Sequence, residues 1–296
     1  MRATLIGASA LALWATLAVL TTATGAMPPF MMVALSFGLA ALVGASVQVA
    51  RGQNPLARLR QPVGAWALSV GGLFGYHALY FLALKTAPAV EANLVNYLWP
   101  LLIVLFSGLL PGEGLSARHL AGAAMGFAGA ALLILGKGVA GFTAAHLPGY
   151  GAALACSVVW AGYSVANRRY ARVPSDAVTG FCAAAALLAA LCHLAFEPAF
   201  IPTGAEWLAV LAMGLGPAGA AFFVWDYGCK HGDVRTLGTL AYATPLASTL
   251  LLVAFGQGEL DARVGAAALL IVGGAALGSL GSTTRSPIEK PGEGRP

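Results

Sequence analysis

The chain has 296 residues, 59% hydrophobic and only 9% charged, with a mean hydropathy of +0.80 and a formal net charge of +5. Soluble domains carry about 25% charged residues, so sixteen Lys and Arg with eleven Asp and Glu exclude a water-soluble enzyme, and the hydrophobicity excludes a disordered chain. The basic residues are scattered in small groups rather than gathered on one face, which excludes a nucleic-acid partner and leaves an integral membrane protein, helical or barrel.

Long continuous apolar runs, rather than ten-residue alternation, select helices over a barrel. In chain order the spans are predicted at 3–22, 29–50, 63–84, 91–110, 117–136, 148–167, 177–196, 205–226, 236–256 and 262–281. The fold expected is all-α and integral to the membrane, with ten transmembrane helices and no room for a soluble domain. Short separators rich in Gly, Pro and charge divide the spans, such as Arg51-Gly52-Gln53-Asn54-Pro55 and Arg168-Arg169. The alternative for the first run is a cleaved signal peptide with Arg2 as its basic region. Its length and its tryptophan, matched in the second half, favour a retained helix. Residues 282–296 read as a disordered cytoplasmic tail.

Counting Lys and Arg on alternate sides of ten spans places thirteen of the sixteen on the side of the N-terminus. Only Lys85, Lys137 and Arg263 fall on the other. The positive-inside rule then puts both termini in the cytoplasm. The four cysteines, Cys156, Cys182, Cys192 and Cys229, form no CxxC pair and read as small buried hydrophobes. Neither a metal nor a cofactor is expected.

Shifted by 145 residues, the two halves register. Tyr97 falls on Tyr242, Pro100 on Pro245, Leu101 on Leu246, Gly129 on Gly274 and Lys85 on Lys230. Leu115-Ser116-Ala117-Arg118 falls on Leu260-Asp261-Ala262-Arg263, and at 146 Trp14-Ala15 falls on Trp160-Ala161. The repeats expected are 1–140 and 146–281, five spans each. An odd number of spans per copy inverts the second copy in the membrane, the signature of many secondary transporters.

These residues resemble the ten-helix exporters of the drug/metabolite transporter superfamily, built from two EamA-type five-helix repeats. The repeated Trp-Ala, Leu84-Lys85-Thr86-Ala87-Pro88-Ala89 before the fourth span, the two Pro-Leu pairs and the Gly-rich fifth and tenth spans carry the resemblance. Tyr97-Leu98-Trp99-Pro100 and the aromatics are similar to those of the YddG-type aromatic amino acid exporters. The resemblance implies a bacterial inner-membrane carrier that exports aromatic and other neutral amino acids by alternating access.

Paired Gly/Pro-interrupted spans point to the substrate site. Pro100 and Pro245 interrupt the fourth and ninth spans; the alternative is a purely structural kink. Asn93, Asn96, Tyr97 and Pro100 share one helical face, as do Thr239, Tyr242, Pro245 and Thr249, and Ser157, Trp160, Ser164 and Asn167. Such faces turn to the bundle interior, lining a site or hydrogen-bonding between helices. Aromatic candidates for the site are Trp14, Tyr76, Tyr80, Trp99, Trp160 and Tyr163, with His77 beside them. Trp66, Trp207 and Trp225 lie near span ends and are expected in the interfacial belt. Lys85 and Lys230 are expected to cap helix C-termini or to line a gate.

Glu91, Glu113, Asp226 and Asp233 are expected at span ends, which argues against a carboxylate relay and for a facilitative carrier. Gly122/Gly126 and Gly274/Gly278 predict close helix packing within a monomer, the alternative being a dimer through these faces. The rival functions are a carrier of the same fold for another metabolite or drug, and a membrane enzyme or complex subunit. No nucleophile, base and metal set converges to support an enzyme.

Overall fold

The computed structural model describes residues 1–111, 114–136, 141–256 and 260–279. Glu113, Lys137 and the tail expected to be disordered lie outside them. The described residues contain helices and no strand. Among the described residues, nine helices are long and apolar enough to cross a bilayer. They are α1 (Arg2–Ala23), α2 (Pro29–Ala50), α3 (Val63–Thr86), α4 (Ala89–Ser107), α5 (Ala117–Leu135), α6 (Ala144–Tyr170), α7 (Ser175–Phe196), α8 (Gly204–His231) and α9 (Val234–Ala254). A shorter apolar helix, α10 (Ala262–Gly278), completes ten.

Local chemistry sets the helix ends. Pro29 opens α2 at a position whose N–H needs no partner. Asp233 caps α9 by accepting from Arg235 N and Thr236 N. Burial opposes the Asp233 charge, but Arg235 and the capped N–H groups together hold its carboxyl below the usual carboxylate range. Ser116 with His119, and Thr203 with Glu206, close capping boxes on α5 and α8. Gly52, at φ 72, turns the chain after α2 in a conformation that only glycine adopts freely.

Four interruptions come in two matched pairs. Helix α4 breaks between Asn96 and Trp99, and α9 between Leu240 and Ala243. Pro100 and Pro245 lie in the first turn of the half-helices that follow, where a missing N–H is tolerated. In α3 and α8 the chain makes a π turn at Gly71–Gly75 and Gly216–Ala220, 145 residues apart. One surplus residue in a glycine-rich stretch produces such a turn.

Helix pairing obeys the repeat. Helix α1 packs on α8 as α6 packs on α3, while α2 pairs with α7, α4 with α9 and α5 with α10. Glycine permits the closest crossings. A Cβ on Gly122 would lie 2.5 Å from the Gly274 carbonyl oxygen, and one on Gly274 would lie 2.5 Å from that of Gly122. The small-residue faces of α5 and α10 therefore meet within one chain.

At the basic end, Thr4 Oγ1 accepts from Asp233 N at 2.9 Å, Arg168 Nη1 donates to Gly232 O, and Arg235 Nη1 donates to Gly114 O at 3.1 Å. Gln48 Nε2 donates to Thr179 Oγ1 at 2.7 Å and to Asp176 O at 2.9 Å. At the opposite end Glu197 receives Phe30 N at 2.8 Å and Met31 N at 3.1 Å, capping α2 from the end of α7.

The end of α8 differs from the sequence expectation. The sequence places the span at 205–226, with Asp226 at its end. The helix runs five residues further, to His231, and Asp226 is fully buried. Lys230 lies one turn on and neutralises it at 2.8 Å. Lys230 also does not cap its own helix; its ammonium donates to Asp226 Oδ2 and to Val173 O at 3.0 Å.

Candidate functional site

The interrupted helices surround a cluster of rings drawn from α1, α3, α4, α6 and α8. Trp14 is its hub. Its centroid lies 5.0 Å from Trp225, 5.6 Å from Trp160, 5.8 Å from Phe222 and 6.5 Å from Trp99. Trp160 stacks on Trp225 at 6.3 Å and 19°. It also meets Tyr163 at 5.2 Å and Tyr76 at 5.4 Å. Tyr76 stacks on Tyr80 at 6.1 Å and 10°, and His77 meets Phe37 edge-on at 5.3 Å. Edge-on and offset pairs of this kind contribute about 0.5–1.5 kcal/mol each beyond burial.

Amides line the α3–α4 side. Tyr80 Oη donates to Asn93 Oδ1 at 2.6 Å, and Asn96 Nδ2 donates to Tyr76 Oη at 3.0 Å. The Asn96 carbonyl oxygen is buried with no partner among the described residues, an acceptor left available. On the far side, Trp14 Nε1 donates to Pro217 O, in the π turn of α8, at 3.0 Å. Trp225 Nε1 donates to Ser164 Oγ at 3.1 Å. His77 Nδ1 lies 2.6 Å from Leu73 O, one turn back in its own helix.

The structure thus brings together Trp14, Tyr76, His77, Tyr80, Asn93, Asn96, Trp99, Trp160 and Tyr163. Tyr242 stands apart: it is fully buried against Phe127 and Gly126, in a second core of α5, α9 and α10. Tyr97, its repeat mate, packs against the same core. Lys85 is exposed in the last turn of α3.

Trp225 corrects an expectation. Assigned to the interfacial belt, it is 0% exposed and sits among the other tryptophans. Its placement near a span end followed from ending α8 at Asp226. Trp207, by contrast, is exposed, as a belt residue should be. Phe222 and Trp225 were missed, yet the 145-residue offset contained the signal, since it carries His77 onto Phe222 and Tyr80 onto Trp225. Two surface clefts lie elsewhere. One of about 450 Å³ runs between α2 and α7, and one of about 210 Å³ lies among α5, α9 and α10; neither touches the ring cluster.

Ten helices in two inverted five-helix repeats, paired about a common axis around a ring-lined centre, define a secondary-carrier architecture. A model of the EamA-like transporter family matches residues 1–135 and again 147–280. The chain belongs to that family. It is 56% identical over 279 residues to the aromatic amino acid exporter YddG of Ancylobacter novellus, covering 94% of this chain and 97% of that protein. It is 26% identical over 290 residues to the YddG exporter of Escherichia coli K12, covering 93% and 96%. A solved crystal structure 55% identical in sequence superimposes with a TM-score of 0.90 over 95% of this chain and 98% of the other.

Proposed function

We propose that the protein exports aromatic and other neutral amino acids across the bacterial inner membrane by alternating access. The observation that carries this reading is the ring cluster itself. Four indoles and three phenols from helices of both repeats surround the interrupted spans, beside an unpartnered amide oxygen. Flat apolar walls suit an aromatic side chain, and the Asn93 and Asn96 amides suit the ammonium and carboxylate of its backbone. The names of the relatives support the same substrate class.

The binding residues in this reading are Trp14, Tyr76, His77, Tyr80, Asn93, Asn96, Trp99, Trp160 and Tyr163. Tyr97 and Tyr242 would act from the neighbouring core, and Pro100 and Pro245 would supply the hinges. The two repeats, 1–140 and 146–281, exchange conformations about their common axis in a monomer. The excess of basic residues at one end favours cytoplasmic termini. The α8 carboxylate is neutralised by Lys230, which favours facilitative transfer over proton coupling.

The test is flux of labelled tryptophan, phenylalanine and threonine in proteoliposomes, with and without a pH gradient. Saturable tryptophan flux is expected. Absence of saturable flux for all three would overturn the reading, and hydrolysis or group transfer without net movement would favour an enzyme.

A further inference from the structure

The basic end of the ring cluster is closed by a charged lock. Asp226 follows Trp225 in α8, and Asn167, which bonds its carboxylate, lies one turn beyond Tyr163 of the ring cluster. Its Oδ1 accepts from Asn167 Nδ2 at 2.8 Å; its Oδ2 accepts from Ser175 Oγ at 2.5 Å and from Lys230 Nζ at 2.8 Å. Lys230 completes its set on Val173 O. The end of α6, the α6–α7 connection and α8 are thereby tied together. The Asp226 side chain is 0% exposed and that of Lys230 is 1%.

At the matching positions of the first repeat rings stand in place of the charges, and the buried carboxylate nearby, Glu197 at the end of α7, is paired with His193 at 2.9 Å and bonded to Phe30 N. Positions 145 residues before Ser175 and Asp226 are Phe30 and Phe81, and these two rings meet edge-on at 5.4 Å. Lys85, the mate of Lys230, is exposed. At these positions one repeat therefore carries apolar rings and the other a buried salt bridge. Symmetry of packing does not require the salt bridge, since the matching positions pack without it.

Asp226 and Lys230 lie one turn apart on α8, so opening the basic end keeps the pair together but strips Asn167, Ser175 and Val173 from it. Asp226 then lacks its neutral donors and Lys230 its neutral acceptor, and polar groups left without partners are costly. A free amino acid carries the required replacements on one carbon: a carboxylate for the lysine and an ammonium for the aspartate.

We propose that Asp226 and Lys230 form a second, transient subsite at the basic end. There the zwitterionic head of an amino acid replaces the partners that opening removes while its side chain faces the tryptophans. Lys230 receives the carboxylate and Asp226 the ammonium. The subsite thus selects zwitterions over amines and acids of the same side chain. This inference rests on the proposed amino acid export.

The experiment compares tryptophan, tryptophanamide (no carboxylate) and indole-3-propionate (no ammonium) in proteoliposomes of wild type, Lys230→Met and Asp226→Asn. The wild type is expected to prefer tryptophan to both analogues. Lys230→Met is expected to shift the ratio of tryptophan to tryptophanamide flux by about tenfold toward the amide, and Asp226→Asn by about tenfold toward indole-3-propionate. If either single variant fails to give monodisperse protein, the double variant Asp226→Asn with Lys230→Gln replaces it. That neutral pair should lose discrimination among all three compounds. Wild-type ratios in a folded variant would overturn the subsite. Absence of tryptophan flux in the wild type would instead overturn the export reading.

Discussion

Trp14 and Trp160 occupy matching positions in the two repeats, and their rings meet edge-on at 5.6 Å and 73°. Their hydrogen bonding is unequal. Trp14 donates to the carbonyl of Pro217 in the α8 π turn, whereas the indole N–H of Trp160 has no protein acceptor among the described residues. The halves are thus equivalent in packing and different in bonding.

This asymmetry predicts unequal effects of the same substitution. Trp14→Phe keeps a ring but removes the hydrogen bond to Pro217 O, at a cost of about 0.5–1.5 kcal/mol. Trp160→Phe breaks no such bond. Thermal unfolding in detergent should show a lower Tm for Trp14→Phe than for Trp160→Phe, with tryptophan flux reduced in both. Equal Tm values would contradict the inequality.

The Tyr–Asn pairs across α3 and α4 predict a KM effect. Asn96→Ala removes both the bond to Tyr76 and the unpartnered acceptor. Losing about 1 kcal/mol of substrate bonding raises KM about fivefold. Asn93→Ala, which frees Tyr80, should act in the same direction. Unchanged flux kinetics in both would place the amide contacts elsewhere.

The crossing of α5 and α10 predicts intolerance of a single methyl. Gly122→Ala would press its Cβ on the Gly274 backbone, costing about 1–3 kcal/mol. Gly162→Ala is the control. Its Cβ meets nothing within 4 Å, and a helix interior gains about 0.5–1 kcal/mol from alanine. Melting temperatures should move in opposite directions.

The cap on α9 predicts an acid limb. The folded Asp233 carboxyl titrates below its ordinary value of 3.8, so its contribution is present above that value. It is lost as pH falls through the lower, folded value. Asp233→Ala costs about 0.5–2 kcal/mol at neutral pH. The gap in Tm between wild type and variant should close on acidification below about pH 4. A constant gap would show that the carboxylate is not the source.

Ten spans, the inverted repeat and the paired prolines were legible because each leaves a linear trace: run length, a fixed offset, a residue type. Most of the ring cluster was legible for the same reason. Asp226 and Trp225 were misplaced because a charge reads as a boundary until its partner is known. That partner, Lys230, reads in sequence as a helix cap or a gate residue. The contributions of Ser175 and Val173 depend on a loop folding back, which no periodicity announces. The π turns were invisible too, since a Gly-rich stretch reads equally as a regular helix that packs closely.

Those π turns set the azimuth of everything after them. Each residue of an α-helix advances the side chain by about 100°, whereas a π turn spreads one extra residue over a single wide turn. Removing one glycine from Gly71–Gly75 would therefore leave a plain α-helix with Tyr76 and Tyr80 still directed at Trp160 and Asn93. Forcing the same five residues into α geometry without a deletion would swing both rings away by about 100°. The same holds at Gly216–Ala220 for Phe222 and Trp225.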